Sequence, residues 1–209
     1  MKKLFYLCFW AGTVSFILAV PAQDGGGAHV TFPFYVFKDG GSKENHYVPS
    51  GFTGDYGALK MDEKCKDNPK AGETCAKFTY SGEPTQGLNW AGVFFQNPAN
   101  NWGTIDGGYN VTGAKKLTFY ARGEKGGEVV EFKFGGVSGA YSDSGGGTTG
   151  PVVLTKEWKQ YEISLEDQDL SYVLSGFAWV AESKNCAGGM TFFLDEVAFV
   201  NDSVPTPVK

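Results

Sequence analysis

Between residues 30 and 200 apolar side chains come in short bursts that alternate with polar ones, and Gly, Pro, Asn or Asp closes most bursts. The stretch 116–122 is the clearest case. Leu117, Phe119 and Ala121 fall on one side, and Thr118, Tyr120 and Arg122 on the other. In 128–135 the same period puts Val130, Phe132 and Phe134 on one side and Glu131 and Lys133 on the other, so 116–135 reads as a central hairpin turning at 123–127. Further strands are expected over 30–37, 58–61, 74–80, 90–96, 151–154, 159–165, 176–181 and 190–200. Residues 42–57 and 138–150 read as long loops, and 167–174 as one helical turn. About nine or ten strands with turn signals every 8–12 residues, and no long amphipathic helix between them, predict an all-β, antiparallel two-sheet sandwich of jelly-roll type.

Composition supports that class. Thirty Gly among 209 residues and 15% aromatics suit many short strands joined by tight turns. The formal charge of −5, with no Lys/Arg cluster after the first residues, excludes the basic stripe of a nucleic-acid module. Lys2 and Lys3, the uncharged apolar run over 4–20, and Val20-Pro21-Ala22 read as a signal peptide over 1–22, cleaved before Gln23. The rival reading, a retained anchor, has a run at the short edge for crossing a bilayer. The expected organisation is therefore signal 1–22, flexible segment 23–29, one sandwich over 30–200 and a short tail over 201–209, with export to the periplasm or the medium and no membrane span after cleavage. Cys8 leaves with the signal. Cys65, Cys75 and Cys186 remain, with Cys65–Cys75 and Cys75–Cys186 both open as disulfides.

The chemistry-bearing residues are sparse. Nucleophile-elbow, zinc-helix and phosphate-loop motifs are missing from the sequence, and its two histidines, His29 and His46, are too few for a triad. His46 is expected to brace its loop. A glycosidase needs two carboxylates at a set separation. Glu162, Glu166 and Asp167 straddle a strand end, and Asp195 and Glu196 are adjacent and face opposite ways, leaving Glu131 as a partner only from across the fold.

Aromatic residues say more. Sugar rings stack their CH faces on Trp or Tyr, and their hydroxyls suit Arg, Asn and Gln. Trp102 lies in the polar loop Asn97-Pro98-Ala99-Asn100-Asn101-Trp102-Gly103 and is the first stacking candidate. Tyr120, Arg122 and Lys133 on the polar side of the hairpin, Gln96, and the strand tryptophans Trp90 and Trp179 complete the expected ligand contacts. Asp39, which follows the first strand, and Asp195, in the last one, are candidate ligands for a structural calcium.

Several segments resemble one family. Phe34-Tyr35-Val36-Phe37-Lys38-Asp39-Gly40 is similar to the opening strand of the galactose-binding-like jelly rolls found in bacterial carbohydrate-binding modules, the family-11-like group in particular. Gly107-Gly108-Tyr109-Asn110-Val111-Thr112-Gly113-Ala114-Lys115-Lys116-Leu117-Thr118-Phe119-Tyr120-Ala121-Arg122-Gly123 carries the most specific part of the likeness. Glu157-Trp158-Lys159-Gln160-Tyr161 and Thr191-Phe192-Phe193-Leu194-Asp195-Glu196-Val197 match a later strand and the closing one. The resemblance implies a non-catalytic sandwich that binds polysaccharide, often with a structural calcium. Asp195 matches the closing-strand acid, whereas Lys38 stands where the opening strand usually has one, which leaves Asp39 as the remaining ligand.

Three readings of function follow. The chain is a secreted polysaccharide-binding protein, a hydrolase or lyase on a jelly-roll scaffold, or an envelope protein whose sheet face binds another protein.

Overall fold

The computed structural model describes residues 30–201, so the expected signal, the segment 23–29 and nearly all of the tail lie outside the described residues. Eleven strands make two antiparallel sheets. In chain order they are β1 (Phe34–Phe37), β2 (Val48–Gly54), β3 (Leu59–Cys65), β4 (Cys75–Tyr80), β5 (Trp90–Gln96), β6 (Lys116–Gly123), β7 (Val129–Gly135), β8 (Gly146–Val153), β9 (Lys159–Ser164), β10 (Ser175–Glu182) and β11 (Met190–Val200). The first sheet runs β3-β4-β11-β6-β9. β11 is long enough for β4 to pair with its first half and β1 with its second, along one edge. The second sheet runs β2-β5-β10-β7-β8.

The all-β sandwich matches the periodicity: strands such as β4, β6 and β7 bury alternate residues between the sheets. Val93 and Phe95 from β5, Phe119 from β6, Phe132 from β7, Phe177 and Trp179 from β10, and Phe192 from β11 are fully buried between the sheets. Phe78 stacks on Phe192 with ring centroids 5.2 Å apart, and Trp179 meets both edge-on at 5.1 and 4.9 Å. Each such ring removed from water contributes roughly 1.5–3 kcal/mol, so these layers supply much of the drive to fold.

Pairing departs from the sequence expectation in one decisive place. β6 and β7 are consecutive and alternate alike, but they are not a hairpin. β6 pairs with β9 and β11, whereas β7 pairs with β8 and β10. The chain crosses between layers at 124–128. Period two sets which side chains face inward, but it says nothing about which strand lies alongside. Two segments expected as loops contain strands. β2 is an edge strand with Pro49, Gly51 and a bulge, and most of β8 is Gly and Thr, so neither shows an apolar alternation. The expected helical turn over 167–174 is extended instead: Val173 bridges Tyr109, and Val111 N–H donates to Leu170 O.

Candidate functional site

The outer face of the β2-β5-β10-β7-β8 sheet is the part of the molecule that gathers aromatic and polar side chains. Strand register lays it out in rows. Trp90 faces Glu182; Gly92 faces Val180, which faces Glu131; Phe94 faces Ala178, which faces Lys133. Two aromatic residues therefore lie four positions apart on β5, about 13 Å along the strand, with Gly92 between them. No side chain fits at Gly92, because an added Cβ would lie 2.5 Å from Trp179 O. The floor between Trp90 and Phe94 is flat because the strand itself closes it.

At one end of this face Trp90 borders a cleft of about 620 Å³ lined also by Gly82, Asn89, Val180, Glu182 and Lys184. At the other end the loop after β5 carries Trp102, which is 40% exposed and meets Phe94 edge-on at 5.3 Å between centroids. The loop is held from below. Asn101 is buried, donates from Nδ2 to Ile105 O, and accepts at Oδ1 from the N–H groups of Gly103, Thr104 and Ile105. Gln96 donates from Nε2 to Asn101 O at 2.9 Å, and Ser50 Oγ accepts from Asn100 N–H. Trp102 is thus an exposed ring on a rigid base. Tyr141 N–H donates to Gly103 O, which joins the loop over 136–145 to the Trp102 loop.

The charged part of the face is a short network on β7. Lys133 Nζ lies 3.0 Å from Glu131 Oε1, which also accepts from Thr148 Oγ1 at 2.7 Å. Burial pushes the Glu131 carboxyl up, but the Thr148 hydroxyl and the Lys133 ammonium outweigh it and hold the group below its ordinary value. The pair places a fixed donor beside a fixed acceptor on this face.

Of the expected ligand contacts, Trp90, Trp102 and Lys133 fall on this face. Gln96 faces the same way, but it is fully buried and spends its amide on the Trp102 loop, so it supports the site from below. Trp179 is a core residue with no exposed surface. Tyr120 and Arg122 sit on the opposite outer face, because β6 belongs to the other sheet. Tyr120 lies under the Lys70 ammonium, 4.7 Å from its ring centroid. Phe94, Glu131 as a site residue and the neighbouring Tyr141 were not anticipated. Phe94 was legible as an outward position of 90–96, but its partner Trp102 comes from a loop no periodicity describes. His46 does brace its loop: Nδ1 lies 2.9 Å from Tyr35 O, and the ring packs on Phe34 at 3.8 Å.

Asp39 and Asp195, the expected calcium ligands, are both occupied by hydrogen-bond donors. β1 and β11 are neighbours as expected. However, both carboxylates face N–H groups of the loop between β3 and β4. Asp39 accepts from Glu73 N–H and Thr74 N–H at 3.0 and 2.8 Å, and from Thr74 Oγ1. Asp195 accepts from Lys70 N–H and Ala71 N–H at 2.8 and 3.2 Å, and from Glu196 N–H at 2.9 Å. Calcium requires six to eight oxygen ligands, and hydrogen atoms aimed at both carboxylates repel it. Among the described residues no three His, Cys, Asp or Glu side chains converge as metal donors. The acid pair expected across the fold is not assembled either: Glu131 is bonded to Lys133 and Thr148 on the second sheet, while Asp195 is bonded to the loop over 66–74 and Glu196 to the Tyr35 hydroxyl.

No family model matches the sequence, nor does any curated protein. The fold does match solved structures. A family 30 carbohydrate-binding module superposes with a TM-score of 0.53 at 18% identity, over 84% of this chain and 92% of its own. The family 30 module of a cellulosomal cellulase of Clostridium thermocellum gives 0.51 at 19% identity, over 82% of this chain and 98% of its own. A family 11 module of another cellulosomal cellulase of that bacterium gives 0.47 at 12% identity, over 76% and 87%. The architecture is that of the carbohydrate-binding-module sandwiches, and at these identities the likeness is one of fold.

Proposed function

We propose that this protein is a non-catalytic carbohydrate-binding protein that holds a polysaccharide on the outer face of the β2-β5-β10-β7-β8 sheet. Trp102 and Trp90 stack on sugar rings at the two ends of the face, and the Lys133–Glu131 pair bonds to hydroxyls between them. The observation that carries the reading is Trp102, exposed on a loop fixed from beneath and backed by Phe94. A large ring kept in water by a rigid base is pre-organised for stacking and loses little freedom on binding. The shared fold with modules named for carbohydrate binding supports the class of ligand. Residues 2–22 support export, which would place the protein where polysaccharides are met.

Affinity electrophoresis against soluble β-glucans, xylans and mannans tests the proposal. The wild type is retarded by at least one of them. Trp102→Ala and Trp90→Ala each weaken that binding about tenfold or more, while Tyr120→Ala, on the far face, leaves it unchanged. No retardation on any polymer, or equal loss with Tyr120→Ala, would refute the assignment. Release of reducing sugar from the same polymers would refute its non-catalytic part.

A further inference from the structure

The register of β3 against β4 brings two cysteines together. Cys65 is the last residue of β3, Cys75 the first of β4, and they are directly paired across the antiparallel ladder. Opposite residues in such a ladder have Cα atoms about 4.5–5.5 Å apart, inside the roughly 4.4–6.8 Å range of a disulfide. Both side chains are buried, in a small cluster with Phe193 under Trp158. The Cys75 thiol donates to Asp67 O, in the loop between the two cysteines. Cys186 is elsewhere. It packs beside Gly82, beyond the far end of β4, and its thiol donates to Glu182 O at 3.1 Å. β4 runs from Cys75 to Tyr80, about 17 Å, so neither Cys65 nor Cys75 can reach it.

We infer that Cys65 and Cys75 are a disulfide-forming pair that clasps the loop over residues 66–74, and that Cys186 is the unpaired cysteine among the described residues. What the clasp secures is specific. The loop supplies the N–H groups that satisfy Asp39, just after β1, and Asp195 on β11, and the carbonyls that accept from Arg122 and Trp158. Four anchors around the first sheet therefore depend on one loop, and a bond across its base limits how far it can open.

The chemistry is thiol–disulfide exchange with an external disulfide of the glutathione class. One cysteine thiolate attacks the external S–S bond, and the first small thiol leaves and takes up a proton. The second cysteine thiolate then breaks the mixed disulfide, forming the Cys65–Cys75 bond and releasing the second small thiol. Two electrons pass from the protein to the oxidant. Burial pushes the Cys75 thiol up to about 12, so thiolate is scarce in the closed structure and exchange proceeds while the loop is open, during folding.

The test uses the full chain, refolded from urea with reduced and oxidised glutathione, alkylated without reduction and digested with trypsin. The expected product joins the peptide Ala71–Lys77 to Cys65–Lys66, with Cys186 alkylated. Reduction then lowers the thermal midpoint of the wild type and of Cys186→Ser by roughly 5–10 °C, and leaves Cys65→Ser/Cys75→Ser unaffected. Alkylated Cys65 and Cys75, or a bridge from either to Cys186, overturns the pairing. A wild-type midpoint indifferent to reduction overturns the clasp. Should the double variant fail to fold, the peptide map of the wild type still decides. The inference rests on strand register alone, so loss of the polysaccharide reading leaves it intact.

Discussion

The Arg122 guanidinium lies over Phe193, 3.6 Å from the ring centroid, and the residue is only 7% exposed. Trp158 flanks it at 5.2 Å, and its Nη2 donates to Asp67 O at 2.7 Å. An outward arginine in a polar stripe thus seals an outward phenylalanine in the neighbouring strand. A desolvated cation–π contact contributes about 2 kcal/mol, and a charged hydrogen bond about 1.5–3. Arg122→Ala should therefore lower unfolding free energy by about 2–4 kcal/mol, read from urea midpoints, with polysaccharide retardation unchanged. Arg122→Met keeps the packed stem and should lose about half as much. Weakened binding with unchanged stability would return Arg122 to the ligand site.

Phe94 offers the converse case. It is half-buried, and its main neighbour on the site face is Trp102, at 5.3 Å. Phe94→Ala removes the edge contact that orients the indole and leaves Gln96 and Asn101 holding the loop. We expect polysaccharide affinity to fall about three- to tenfold, with a smaller effect on stability than a core Phe→Ala change, which costs about 3–5 kcal/mol. Affinity electrophoresis alongside urea unfolding checks both. Full affinity in Phe94→Ala would mean that Trp102 is oriented by its loop alone.

The contrast between these two residues shows where sequence reasoning stops. Alternation assigned inward and outward positions well: Phe119 and Phe132 went inside, Tyr120 and Lys133 outside. It also gave the class of fold, because ten or so short alternating runs with turns between them have few other solutions. What it lacked was pairing. Residues 116–122 and 128–135 read as one hairpin face, which grouped Tyr120 and Arg122 with Lys133; the crossing at 124–128 puts them on opposite sides of the sandwich. Trp179 could not be told from Trp90 by pattern, since burial depends on which parity of each strand faces the core. β2 and the Gly/Thr-rich first part of β8 stayed hidden because edge strands rich in Gly, Pro and Thr carry no apolar period.

The carboxylate–loop contacts make a prediction about metal. Asp39 and Asp195 already accept backbone N–H groups from the loop over 66–74, and these donors compete with any cation for the same oxygens. EDTA should leave the thermal midpoint unchanged, and added calcium should not raise it. A rise with calcium that Asp195→Asn abolishes would show that the loop yields to the ion.

Asp195 also sets a pH dependence. Burial pushes its carboxyl up to about 7, even though the N–H groups of Ala71, Lys70 and Glu196 pull the other way. Its unfolded value is near 3.9. Between these values the folded chain keeps a proton that the unfolded chain has released, so stability from this group is present below about pH 4 and is lost as pH rises through 7. Asp195→Asn has nothing to titrate. The stability of the wild type relative to Asp195→Asn should therefore fall from pH 4 to pH 7, measured by urea unfolding at each pH. A difference that grows with pH would mean that the three N–H donors outweigh burial and hold the carboxylate charged.

Gly92 links the site to the core beneath it. It is the outward residue between Trp90 and Phe94, yet an added Cβ would meet Trp179 O at 2.5 Å and Val180 Cγ2 at 3.1 Å. The second contact can give by a side-chain shift; the first is backbone in the next strand and cannot move without spreading β5 from β10. Gly92→Ala should therefore cost about 1–3 kcal/mol, more than a surface position on a strand would suggest. It should also weaken polysaccharide binding, because the added methyl fills the floor between the two tryptophans. Urea midpoints and affinity electrophoresis separate the effects. If stability falls while affinity holds, the ligand does not lie along β5 between Trp90 and Trp102, and the two rings bind as separate points.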